Sequence, residues 1–135
     1  MGWKNVMYEY HNYLYDDYGN LKGQQIANME KKIALIKLAN YDVPSYMGEF
    51  CYFDSLDAWD EGLALLNNAG LHWTTWTYKT TPGNGNWSLY SHANDLGKLN
   101  LVRATEEEII AFWSRLGESD PNEGLLEIVG KHMKE

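Results

Sequence analysis

The sequence predicts an α/β fold with parallel strands in the order β-α-β-α-β-loop-α. Apolar and aromatic strand-like runs alternate with segments of helical periodicity, and those segments, at about 15–20 residues, are long enough to carry the chain back across a sheet. Successive strand-helix units recur at roughly 30 residues, the size of a right-handed crossover unit. At 135 residues with 44% hydrophobic and 22% charged side chains, the chain can bury one core and is unsuited to disorder. Nineteen acidic residues outweigh eleven basic ones, for a formal charge of −8. No Lys/Arg run offers the basic face that phosphate backbones or anionic lipids attract, so nucleic acid and membrane surfaces are not expected partners.

The first strand is expected over residues 6–13, VMYEYHNY, which holds no Gly or Pro and stops at the turn-rich DDYGN around Gly19. Residues 21–40 place Ile26, Met29, Ile33 and Ile36 three and four apart, with Lys31, Lys32 and Lys37 largely off that stripe, which predicts an amphipathic helix. Residues 43–53 read as the second strand, with Pro44 at its start where a missing N–H is tolerated. Asp54 or Ser55 then caps a helix built on Leu56, Trp59, Leu63 and Leu66 and closed by Gly70. The third strand is expected over residues 71–80, LHWTTWTYKT, followed by a long Gly/Asn-rich loop to about residue 104. Thr105 and Glu108 form a capping box for a helix through Phe112, Trp113 and Leu116, and an amphipathic tail with Leu125, Leu126 and Val129 follows Pro121.

In such folds the loops after the strands carry function, and the strand ends here are rich in polar and aromatic groups. Alternation puts Glu9, His11 and Tyr13 on one face of the first strand and Ser45, Met47 and Glu49 on one face of the second. A carboxylate beside an imidazole and a phenol can be a nucleophile or a general base, and a tyrosine hydroxyl donating to Glu49 would hold it ionised and aimed. Trp76 offers a flat platform for the apolar face of a sugar ring. Six Trp and ten Tyr against three Phe fit a half-wet cleft, and the loop residues Trp87 and Tyr90 are candidates for its wall. No glycine-rich phosphate motif follows any strand. Neither the four histidines nor the single cysteine has metal-ligand spacing, and Cys51 reads as a small core filler. No cofactor or metal is expected, and the N-terminal MGWKNVMYEYH holds no apolar signal stretch.

The runs VMYEYHNY, VPSYMGEF and GLHWTTWTYK followed by GNWSLY resemble the carboxyl-terminal part of glycoside hydrolase family 5, the cellulase and β-glucanase family of retaining (β/α)8 barrels. The resemblance covers about residues 1–116 in family order; its most specific elements are H-x-Y, P-x-Y-x-G-E-F and W-T-Y-K. It implies a partial barrel of about three βα units, family strands six to eight, followed by a helical tail over residues 117–135. Glu49 matches the catalytic nucleophile, His11 and Tyr13 the residues lining the −1 subsite, and Trp76 the tryptophan that stacks on the sugar. The implied substrate is a β-linked glucan or glucoside, and the implied partners are the missing barrel strands or a second copy of the chain.

The sequence also departs from the family pattern. Retaining glycosidases use two carboxyl groups about 5–5.5 Å apart, and the family's N-E-P acid/base motif does not occur here. A complete barrel takes about 250 residues, so the expectation is a fragment with little or no activity alone. Glu9 is expected to lie one layer deeper than His11 as a core or structural carboxylate. A non-catalytic carbohydrate-binding module or an assembly half-barrel is the alternative, the former disfavoured by two clean amphipathic helices because such modules are generally β-sandwiches.

Overall fold

Strands β1 (Tyr8–Asn12), β2 (Ser45–Phe50) and β3 (His72–Trp73) form a parallel sheet in the order β1-β2-β3, joined by helices α1 (Lys22–Ala39) and α2 (Leu56–Asn68). The computed structural model describes residues 5–15, 22–93 and 96–133, and the turn expected around Gly19 lies outside them. A second sheet holds β4 (Lys79–Thr80), β5 (Tyr90–His92) and β6 (Ser119–Pro121), with β4 parallel and β6 antiparallel to β5. Helices α3 (Glu106–Leu116) and α4 (Glu123–His132) complete a mixed α/β fold. Among the described residues no helix is long and apolar enough to cross a membrane, and the helices and parallel pairing set the fold apart from a β-sandwich.

The helix periodicities translate directly into packing. On α1 the expected stripe of Ile26, Met29, Ile33 and Ile36 is the buried face, joined by Gln25. On α2, Ser55 is the cap, its hydroxyl accepting from the Ala58 N–H at 3.2 Å. The helix ends in a Schellman motif, in which Gly70 at φ +72° donates to the Asn67 carbonyl and Leu71 to that of Leu66. Met29, Met47, Phe50, Trp59, Leu63 and Leu66 are fully buried in one cluster between the sheet and these helices.

Two elements differ from expectation. The third strand does not run unbroken from 71 to 80. Thr74 and Trp76 still donate backbone bonds to the Met47 and Phe50 carbonyls, at 2.9 and 3.3 Å, but Thr77 then donates to Trp87 and accepts from Leu89. The Gly/Asn-rich segment folds back and supplies a backbone partner that draws the chain into the second sheet. The helix that packs on α2 after β3 is α4 rather than α3. The α3 capping box forms as expected, yet none of its residues is buried and Trp113 is 58% exposed. Leu125 and Val129 of α4 instead enter the common core. Asn122 caps α4 and ties it to Asn86 at 2.8 Å, while Lys131 and His132 reach Asp60 of α2 at 2.8 and 2.6 Å.

Hydrogen bonds from Lys131, then His132, hold the Asp60 carboxyl below its usual value near 3.8. A depressed folded value means stability that is present at neutral pH and lost as the pH falls through the folded value. Amide protection in α4, taken as exchange relative to the intrinsic rate, is therefore expected to begin to fall below about pH 4, and the difference between wild type and Asp60→Asn to close as the pH passes below the folded value. A second expectation concerns Tyr52, whose buried hydroxyl has no hydrogen-bond partner among the described residues. Tyr52→Phe removes that desolvated group and should raise the unfolding free energy by about 1 kcal/mol in chemical denaturation.

Candidate active site

The polar groups that the sequence singles out converge at the carboxyl ends of β1 and β2. Tyr13 Oη donates to Glu49 Oε2 at 3.2 Å, and His11 Nδ1 lies 3.3 Å from the same oxygen. The other ring nitrogen, Nε2, lies 3.4 Å from Glu9 Oε1. The result is a chain of contacts, Tyr13 to Glu49 to His11 to Glu9, that crosses two adjacent strands. Burial, followed by the charge and hydrogen bond of Glu49, raises the Tyr13 hydroxyl well above its ordinary value of 10. Tyr13 is therefore a proton donor to the carboxylate throughout the neutral range.

Glu49 reaches this place through a β-bulge. The register pairs Tyr10 with Met47 and His11 with Glu49, which leaves Gly48 as the extra residue on β2. Strict alternation would put Met47 and Glu49 on one face, as the sequence suggests. Instead Met47 and Phe50 are both fully buried in the core, while Glu49 turns to the face of His11. The bulge shifts the phase of the strand by one residue and so re-aims one side chain without moving the core. Thr74 of the neighbouring chain segment holds it: its hydroxyl donates to the Gly48 carbonyl at 2.6 Å, and its N–H to that of Met47. An isolated glycine inside a strand pattern is the sequence signal for such a bulge.

Glu9 departs from expectation as well. It shares a face with His11, but its side chain is 45% exposed, against 50% for His11 and 28% for Glu49. Among the described residues no layer covers this face of the sheet, so Glu9 is an accessible carboxylate and not a core one. Cys51 is buried, accepts from the Phe53 N–H at 3.2 Å and has its thiol pushed up to about 12 by burial. A thiol so raised is a filler and not a nucleophile.

Trp76 stands at the rim, 47% exposed, with its N–H on the carbonyl of Phe50, the residue after Glu49. The peptide between Trp76 and Thr77 is cis. Beside it an aromatic wall assembles from residues distant in sequence. The Trp87 ring packs on those of Tyr13 and Phe53 at 6.4 and 5.1 Å, and Tyr15 stacks on Tyr13 at 5.2 Å. Tyr15 and Phe53 carry no motif; only the return of the Gly/Asn-rich segment brings the rings together. Tyr90 packs against Tyr78 at 5.1 Å instead of joining this wall. A cavity of about 690 Å³ opens beside β3, lined in part by Leu71, Trp73, Leu89 and Val129, and it contains no carboxylate. Among the described residues no cluster of three or more His, Cys, Asp or Glu is placed to hold a metal ion.

No family model, curated protein or solved structure matches the chain.

Proposed function

We propose that the chain carries the nucleophile side of a retaining β-glycoside hydrolase site, on a sheet that is part of a (β/α)8 barrel of the family 5 type. The observation that carries this reading is the pair of contacts on one oxygen of Glu49, from Tyr13 at 3.2 Å and His11 at 3.3 Å, at the ends of adjacent parallel strands. Both groups use Oε2, so among the described residues Oε1 is the oxygen left to meet an anomeric carbon. In the reaction Oε1 attacks that carbon, the bond to the leaving-group oxygen breaks, and a glycosyl ester forms that water later hydrolyses. Trp76 is the platform for the sugar, and the wall of Tyr15, Phe53 and Trp87 flanks it. A β-linked glucan or glucoside is the substrate class.

The family's N-E-P acid/base motif does not occur in the sequence, so natural substrates with poor leaving groups should turn over slowly or not at all. The test uses a substrate that does not need the missing acid. A 2,4-dinitrophenyl 2-deoxy-2-fluoro-β-glucoside releases dinitrophenolate without protonation, and its fluorine slows hydrolysis of the ester. Incubation with the full chain should add one fluoroglucosyl mass, located on Glu49 by peptide mass spectrometry. Absence of label, or label on another residue, overturns the reading.

A further inference from the structure

We propose that Glu9 is a positioning residue that fixes the His11 ring from the side opposite Glu49, so that Nδ1 is presented to the Glu49 carboxylate. Its consequence for reactivity rests on the reading of Glu49 as nucleophile, whereas the ring contact stands independently of it. Glu9 and His11 are two residues apart on one face of β1, and the carboxyl reaches Nε2 at 3.4 Å. An imidazole held at one nitrogen and half exposed can turn over about its Cβ–Cγ bond, which puts a ring carbon where each nitrogen was. A second carboxylate on the far nitrogen opposes that turn, because the turned ring loses both contacts. Tyr46 is the register partner of Glu9 on β2, and its hydroxyl is raised above the ordinary tyrosine value chiefly by the Glu9 carboxyl.

Gly48 completes the device. A side chain at this position would collide with the Glu9 carboxyl. The residue that creates the bulge and re-aims Glu49 therefore also leaves the space in which Glu9 reaches His11. One glycine serves both ends of the contact chain.

The experiment compares wild type with Glu9→Ala, Glu9→Gln and Gly48→Ala, each first shown to melt as wild type. Gly48→Ala crowds the Glu9 carboxyl without removing it and, because Gly48 is also the bulge residue that aims Glu49, it reports on the contact chain as a whole. One readout is the pair of His11 ring nitrogen shifts from long-range proton-nitrogen correlation. The other is the labelling rate with the dinitrophenyl fluoroglucoside. Glu9→Ala and Gly48→Ala should each move the Nε2 shift away from its wild-type value and slow labelling about tenfold at saturating reagent, with unchanged half-saturation. Glu9→Gln, whose amide oxygen still accepts from Nε2, should restore part of both. Ring shifts in Glu9→Ala identical to wild type would overturn the proposal. If wild type itself takes no label, the nucleophile reading falls and the ring shifts alone decide the role of Glu9.

Discussion

Exchanging Glu49 for Gln is expected to abolish labelling by the fluoroglucoside, a drop on the order of a thousandfold or more, while leaving the fold in place. The amide keeps the shape of the carboxyl and can still accept from Tyr13, but its oxygen is too weak a nucleophile to form the ester. Because Glu49 is part-exposed and outside the apolar cluster, the exchange should change the unfolding free energy by no more than about 1 kcal/mol. Intact-mass spectrometry reads the first effect and a denaturant melt the second. Tyr13→Phe should give a different pattern, with the label still on Glu49 but slower to arrive, because the nucleophile stays and only its hydrogen bond is lost. Label that persists in Glu49→Gln would move the nucleophile elsewhere.

The largest effect on stability is expected at Trp59. Its ring is fully buried against Phe50 and Tyr52, with centroids at 5.6 and 5.3 Å. Its Nε1 donates to the Phe53 carbonyl at 3.2 Å. Trp59→Ala leaves a cavity that rigid neighbours cannot fill, and should cost about 3–5 kcal/mol in chemical denaturation. That is a large part of the stability of a typical small domain. Phe53 sits at φ +51° and packs against Trp87 in the rim wall, so the Trp59 hydrogen bond also helps to fix the aromatic side of the site. Trp59→Phe retains much of the apolar volume and loses the donor. It should cost less stability than the alanine variant, and it should disturb the Trp87 environment, which the shift of the Trp87 indole N–H in a proton-nitrogen correlation spectrum reports. An alanine variant that melts within about 1 kcal/mol of wild type would show that this part of the core collapses freely around the gap.

Helices were the most legible part of the chain. The Ile26, Met29, Ile33 and Ile36 stripe, the Ser55 cap, the Gly70 terminus and the Thr105 and Glu108 capping box are all local patterns, set by residues within four positions of one another. Which helix packs was not legible. Helices α3 and α4 are both amphipathic, and α4 is the one that joins the core, through Leu125 and Val129, with Asn122 meeting Asn86 and Lys131 and His132 meeting Asp60 across long stretches of chain. Strand faces failed for a related reason. Alternation is a valid rule until an extra residue shifts its phase, and the shift, marked in the sequence by no more than an isolated glycine, is fixed by the pairing of β2 with β1.

The sequence by itself determined the alternating α/β order, the helix stripes and caps, and the residue types from which a site at the strand ends could be built, because each depends on backbone geometry and neighbours close along the chain. Tertiary structure decided the rest: that Glu49 leaves the face of Met47 to meet Tyr13 and His11, that Glu9 stands exposed beside His11, that Trp87 closes on Tyr13 and Phe53, and that α4 completes the core. Each of these is a contact between residues far apart in sequence. Such contacts depend on register and on which surfaces remain unpaired once the strands have joined, and neither is encoded in a local pattern.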